Sequence, residues 1–297
     1  MIRETLYENN TTIHTRLLDD TVEAIDLARQ VSSGSVRTHL GNASITGSTD
    51  FTGTSSLDHA ITLFEGGWDE GRERVEEALA EVNLDDVTAQ LRQTIEVNYD
   101  VSGDEPDVDR YLSGEPENMM EFLPEQTRFG RVVDLKVNVS QHAFVSESAI
   151  LRRGLVVVAA AGMVAAAGYG LRIEAVEQLT PSSWDRTESS RLEYAIPIAH
   201  AGDYFNIDTV IFALAHPSFL RRILFAVEEH EHTAIRKEFG IQEDGGYGHP
   251  EHIRRTADDT SVYIEKDDYL SRDIATVPSD AQELAKRLIH SVSEQTE

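Results

Sequence analysis

Apolar residues recur with a helical period through the first third of the chain and alternate with polar ones from Arg131 onward. Between about Thr5 and Gln30, Leu6, Ile13, Leu17, Leu18, Val22, Ile25 and Ala28 share one broad stripe, which predicts a long first helix. The stretch from Ser32 to Ser56 is rich in Ser, Gly and Thr and reads as loop with room for a short strand. Ser55 or Ser56 then caps a helix beginning near Leu57, which Gly66 and Gly67 stop. Further helices are predicted from about Glu70 to Val82 and from Val87 toward Glu96, ahead of an acidic, turn-rich segment from Val101 to Glu117.

In RVVDLKVNVS, Val133, Leu135, Val137 and Val139 fall on one parity, the pattern of a strand with one buried face. A helix from about Glu147 to Ala167 follows, ended by Gly168, and then LRIEAVEQL alternates again. RLEYAIPIA is a further strand, and its Pro197 predicts an edge position. Asn206 caps a helix that Pro217 kinks or restarts, Ser261–Glu265 is a late strand, and Ser279 caps a final helix. The order β-α-β-β-α-α-β-α predicts an α/β domain over 126–297, a mainly parallel sheet with helices on both faces, preceded by a mostly helical region over 1–125.

Composition narrows the setting. Asp and Glu number 53 against 26 Lys and Arg, giving a net charge of −27, and Lys occurs only at Lys136, Lys237, Lys266 and Lys286. Self-repulsion at this charge destabilises a compact fold in dilute buffer, and concentrated salt screens it. The acids are spread along the chain, so the expectation is a soluble, cytoplasmic protein of an extreme halophile or of its virus. The absence of cysteine excludes disulfides, thiolate nucleophiles and Cys-based zinc sites. The first twenty residues lack the apolar core of a signal peptide. Gly154–Leu171 is uncharged and long enough to span a bilayer, but its Ala and Gly content favours a buried helix against a sheet.

Three sets of residues are candidate sites. Asn138, Ser140 and His142 close the Arg131 strand, and alternate residues of an extended tip can converge on a ligand or metal. Among the histidines His216, His230, His232, His249 and His252, none falls in H-E-x-x-H spacing. The pairs Arg152-Arg153, Arg221-Arg222 and Arg254-Arg255 form an anion site if they cluster and otherwise pair with the surplus carboxylates. GGYG at Gly245–Gly248 lacks the Gly-Lys-Ser/Thr of a P-loop, and no G-x-S-x-G elbow occurs. With so many acids, no carboxylate pair stands out as catalytic.

The strand end resembles that of the von Willebrand factor type A fold, a three-layer, Rossmann-like architecture whose first strand ends in Asp-x-Ser-x-Ser and holds a divalent metal. Ser140 fits that pattern, while Asn138 replaces the acid and His142 the second hydroxyl, so the resemblance implies at best a degenerate Mg²⁺ site. Other pieces together resemble an uncharacterised family encoded by tailed viruses and proviruses. They are FTGTSSLDHAITLFEGGWDEG, the turn Ser113–Pro116, NVS followed by LRRG, FALAHPSFLRRILFAVEE, and GYGHP. That resemblance implies a viral or proviral origin and no mechanism, and it directs attention to Trp68 and to His216–Arg222.

The expected function is therefore a non-enzymatic, protein-binding module of a haloarchaeal virus or provirus, meeting a viral or host protein. Arg152, Arg153, Arg221, Arg222, His216 and Trp68 are its candidate contacts. No membrane role is expected, and the net charge disfavours nonspecific nucleic-acid binding. Two alternatives stand beside it: a metal- or nucleotide-dependent enzyme sited at the end of the Arg131–Ser140 strand, and a structural component of a virion.

Overall fold

Val133, Leu135 and Val137 do turn to one side of a strand, and the residues paired with them across the sheet, Leu171, Ile173 and Ala175, share that side. In this computed structural model the described residues are 2–8, 10–35, 42–80, 97–100, 105–106, 108–113, 115–122, 131–181, 189–201, 206–241, 246–257, 259–271 and 273–294. The strands are β1 (Ile2–Glu8), β2 (Thr11–Leu17), β3 (Val97–Asp100), β4 (Glu105–Pro106), β5 (Met119–Phe122), β6 (Val132–Asn138), β7 (Gly170–Thr180), β8 (Ser189–Ala199), β9 (His249–Pro250) and β10 (Val262–Ile264). A seven-stranded mixed sheet runs β1-β2-β8-β7-β6-β10, with β9 appended to the end of β7. Along that path β2·β8, β7·β6 and β6·β10 are parallel, while β1·β2 and β8·β7 are antiparallel. Strands β3, β5 and β4 form a separate small antiparallel sheet.

The helices are α1 (Thr21–Ser32), α2 (Ala43–Thr46), α3 (Thr49–Thr52), α4 (Leu57–Gly66), α5 (Asp69–Ala80), α6 (Val108–Leu112), α7 (Glu147–Ala166), α8 (Ile207–Ala215), α9 (Phe219–Glu229), α10 (Thr233–Phe239) and α11 (Val277–Glu294). Ser56, Ser146 and Asn206 cap α4, α7 and α8 through their side-chain oxygens, as their positions predict. Among the described residues, α1, α4, α5, α7, α8, α9 and α11 all contribute to one apolar core with the Val133 face of the sheet. The opposite face carries Asp134, Lys136, Arg172 and Glu174 and only a small cluster of Val176, Ala195 and Ile253. Among the described residues the helices therefore cover one face, and the expected layers on both faces reduce to two, because Asp134, Lys136, Arg172 and Glu174 leave little apolar surface on the outer face for a helix to cover.

Two local expectations also change. Residues from Thr5 do not start a helix: β1 and β2 form a hairpin turning at Asn10, which adopts φ 64°, and only Thr21–Ser32 is helical. The turn at Asn10 and the β-branched Thr11, Thr12, Ile13 and Thr15 outweigh the helical stripe. Because β2 pairs with β8, the first residues extend the main sheet, and a boundary near 125 does not separate two cores. Pro197 sits in an interior strand, not at an edge. It lies beyond Ala195, the last residue that β2 pairs, and the β7 ladder shifts register beside it. The helix expected from Val87 toward Glu96 lies outside the described residues.

The helix α7 is long and apolar enough to cross a membrane, but 78% of its most apolar window is buried inside the protein, in contact with α8, α11 and β7. A Cβ at Gly154 would stand 2.2 Å from the Cα of Ala215, so this crossing of α7 and α8 admits only glycine. The chain bends by 80° between α8 and α9, at His216 and Pro217, and enters α9 through a π-helical turn, Phe219–Leu224.

Candidate functional site

The parallel strands β6 and β7 end side by side, and their tips, α9 and the loop Gly246–Pro250 enclose a cavity of about 390 Å³. Its walls are Ser140–Phe144 from the β6–α7 loop, Glu177 and Leu179 from β7, Leu220, Arg221 and Phe225 from α9, and Gly246–Pro250, with Ala43 and Phe51 closing one side. This is where ligands gather in open α/β sheets. The volume lies within the range of small-molecule sites.

The site's frame is built by polar groups consumed locally. Ser140 Oγ donates to the Gln178 carbonyl at 3.2 Å and accepts from the Gln178 N–H at 2.8 Å, continuing the ladder past the last rung. Asn138 Oδ1 accepts from the Ser140 N–H at 3.0 Å, and its Nδ2 donates to the Glu251 carbonyl on the outer face of the sheet. Ser140 is thus spent on backbone, Asn138 on backbone and on Glu265 Oε2, and of the three expected residues Ser140 and His142 reach the cavity. The expected convergence of Asn138, Ser140 and His142 on one ligand does not form: the regular strand ends at Asn138, which turns outward to Glu251 and Glu265, and Ser140 and His142 leave the strand toward the cavity. His142 stacks on Phe144 with ring centroids 5.0 Å apart, and burial together with the charge of Lys266 lowers its pKa. Among the described residues no group of three or more His, Asp or Glu side chains is placed to hold a metal ion.

The arginine pairs do not cluster as an anion site. Arg152 is the one of the first four that meets a carboxylate, Asp280, and it also donates to the carbonyls of Tyr269 and Asp273. Arg153 donates to the carbonyls of Asn138 at 2.7 Å and Glu265 at 3.0 Å, tying β6 to the residue after β10. Arg221 holds the carbonyls of Phe51 and Val145, both at 2.7 Å, and lies over the Phe51 ring. Arg222 is 0% exposed and donates to the carbonyls of Ser44, Ile45, Gly47 and Thr54 and to Thr54 Oγ1. Both arginines issue from the π-helical turn, a feature frequent at functional sites, and pin the wall that carries Ala43 and Phe51. Arg254 and Arg255 reach Glu8 and Glu265.

Trp68 and His216 meet edge to face at 4.5 Å, and His216 Nδ1 accepts from the Ser218 N–H. Burial, with His59 nearby, lowers His216 to about 4, so its imidazole is neutral. The two rings border a second, broader cleft of about 640 Å³ with His59, Glu147, Leu151 and Pro217.

The residues that sequence reasoning passed over are buried acids. Register aligns Arg3, Arg16, Tyr194 and Glu177 in one row across β1, β2, β8 and β7, on the face that meets the helices. The end of α9 brings Glu228 and Glu229 to this row, and Glu231 follows just beyond. Glu231 is paired with Arg3 at 2.8 Å and Arg16 at 2.9 Å. Glu229 accepts from Tyr247 at 2.6 Å, Ser44 Oγ at 2.6 Å and the Ser44 N–H at 3.2 Å, while Tyr247 stacks on Phe225 at 3.8 Å. Glu177 and Glu228 instead face each other. Among the described residues, Glu177 Oε2 and both oxygens of Glu228 meet no donor, and the Tyr194 hydroxyl meets no partner. Burial pushes Glu177 up to about 8, and burial plus the charges of Glu177 and Glu229 push Glu228 well above the usual carboxylate range.

A family model describing a domain of unknown function, DUF7192, matches residues 6–288. The chain belongs to that family. The match covers all the elements that build the cavity, and it carries neither a viral assignment nor kinship with the von Willebrand factor type A fold. No curated protein and no solved structure matches the chain.

Proposed function

We propose that this chain is a small-molecule-binding α/β protein of a halophilic organism or its virus, with the ligand seated in the cavity between the ends of β6 and β7. The observation that carries this reading is Glu177: it is 1% exposed, lines the cavity, and has an oxygen without a partner. A buried carboxylate short of a donor is costly, and Glu177 is the one acid on the wall of this mainly apolar cavity, so a ligand seated there can supply the contact it lacks. The position coincides with the strand end at which the alternative, enzymatic reading of the sequence put its site, although no catalytic set accompanies it among the described residues.

The test is a fragment screen by thermal shift and calorimetry in multimolar KCl, run on the wild type and on Ala143→Trp, which fills the cavity mouth from an exposed loop position. Compounds that stabilise the wild type and not the variant support the reading. A screen in which no compound discriminates the two sinks it.

A protein partner is the second reading, and Phe144 favours it. This ring is 82% exposed at the cavity rim and stacks on His142. Affinity capture in multimolar KCl should then return one partner with the wild type and lose it with Phe144→Ser; equal recovery by both removes this reading.

A further inference from the structure

We propose that the cavity takes a small organic ammonium ion, whose N–H groups supply Glu177 with the hydrogen bonds it lacks. This rests on the cavity being a ligand site and names the class of ligand that the site selects.

Glu177 is the one carboxyl group on the cavity wall, and the groups packed around it bring it no N–H donor. Glu229 takes the hydroxyl hydrogen of Tyr247 and both donors of Ser44, and Glu231 takes Arg3 and Arg16. Arg221 and Arg222 on α9 are spent on backbone carbonyls, and neither acts on Glu177 or Glu228. The Tyr194 hydroxyl, on β8 beside Glu177, meets no partner among the described residues. A wall short of donors is matched by a ligand group rich in them, and an ammonium carries several N–H donors and no acceptor.

The surroundings also select the sign of the charge. Glu177, Glu228, Glu229 and Glu231 gather here against the guanidinium groups of Arg3 and Arg16, which opposes an anion. Phe144, Phe225 and Tyr247 line the same cavity, and aromatic faces attract ammonium ions. Leu179 and Leu220 are left for the apolar body of the ligand.

Entry of the cation moves a proton. Burial keeps Glu177 protonated up to about pH 8, and Glu228 holds its own proton more strongly. A cation beside Glu177 favours the carboxylate, so the Glu177 proton leaves to solvent as the ligand binds. Glu228 keeps its proton and donates it to the facing oxygen of Glu177, and the remaining oxygen accepts from the ligand. Binding therefore selects ionised Glu177, and apparent affinity rises about tenfold per pH unit below about pH 7 and levels above about pH 8. His142, lowered by burial and by Lys266, and Tyr247, raised by burial and by Glu229, keep their charge state across that rise. His249 also lines the cavity and is common to the wild type and Glu177→Gln, so comparing the two proteins isolates Glu177.

The test is calorimetry of the full chain in multimolar KCl with four probes of one shape. They are cyclohexylamine, an ammonium ion below about pH 10, its trimethylated form, cyclohexanol and cyclohexanecarboxylate. Cyclohexylammonium should bind tightest, and titrations at pH 7 in buffers of different ionisation enthalpy should show about one proton released per ligand bound. In Glu177→Gln the proton release and the rise with pH should both vanish, and affinity at pH 8 should fall about tenfold or more. Four results would each overturn the ligand class: equal or tighter binding of the alcohol or the carboxylate, equal binding of the trimethylated cation, ammonium binding without proton release, or a rise retained in Glu177→Gln. The cavity reading is decided separately, and it stands if Ala143→Trp excludes whichever probe or fragment binds. If no probe binds at any pH, the ligand class falls and the fragment screen alone decides the cavity.

Discussion

Replacing Glu177 with Gln should change how stability depends on pH, and the sign is fixed by the direction of the shift. Burial raises the carboxyl from 4.5 to about 8, so the folded protein holds a proton that the unfolded chain releases. The stabilisation is fully present below the unfolded value and is lost as pH rises toward 8, at about 1.4 kcal/mol per unit. Below about pH 6.5 the picture is mixed. Burial lowers His14, His142, His216 and His230, which adds stability as pH rises to their unfolded value. Asp259, held down by Lys136, Ser261 and Tyr263 against the effect of burial, acts lower still. Between pH 6.5 and 8 those groups have the same protonation state folded and unfolded, and Glu228, which burial also raises, is present in both proteins, so the difference between wild type and Glu177→Gln reads Glu177. Over that interval it amounts to about 2 kcal/mol, or roughly 3 °C in melting midpoint for a chain of this length. Urea unfolding at fixed multimolar KCl, followed by tryptophan fluorescence, should show the wild type losing about 2 kcal/mol across the interval relative to Glu177→Gln. Parallel profiles for the two proteins would refute the assignment of a buried, protonated carboxyl.

Arg222→Leu strands four backbone carbonyls and the Thr54 hydroxyl, and should cost about 3–5 kcal/mol by the same urea assay, with Phe51 released from the cavity wall. A loss below about 1 kcal/mol would mean that water replaces the guanidinium. Gly154→Ala forces a methyl into the backbone of α8 and should cost about 2–3 kcal/mol, since overpacked helix crossings must part. With a net charge of −27, dilution of KCl should erase the near-ultraviolet circular dichroism before the far-ultraviolet signal, and a melting midpoint unchanged by salt would contradict adaptation to high salt.

Much of the architecture was legible where a single local rule decided the outcome. Alternation found β6, β7 and β8, capping residues found α4 and α8, and Gly168 marked the end of α7, whereas α11 begins at Val277, ahead of the expected cap at Ser279. Failure came where two periods competed. Leu6, Ile13 and Leu17 fit a helical stripe, yet Ile13, Thr15 and Leu17 also fit a strand, and the turn at Asn10 decides between them only if weighed together with the β-branched residues. The position of Pro197 was misjudged for a different reason. A proline forbids a ladder bond only where a neighbour is present, and strand lengths, which set where β2 stops, are not local information.

The site was hidden by its own composition. With 53 acids, a carboxylate is uninformative by type, but it is informative by parity. In LRIEAVEQL, Leu171, Ile173, Ala175 and Leu179 define the buried face, and Glu177 stands on that face between Ala175 and Leu179, while Glu174 stands on the other. In RLEYAIPIA, Tyr194 holds the matching place between Leu192 and Ile196. Buried Glu228 follows an apolar run, FAV, by the same logic. A salt-adapted surface accepts acids freely because water and counterions meet them, whereas a core position meets neither, so its acid must be paired or protonated. The discriminating feature of an acidic chain is therefore a carboxylate out of phase with the solvent face, and here two of them, on different elements, meet each other behind the cavity that Glu177 lines.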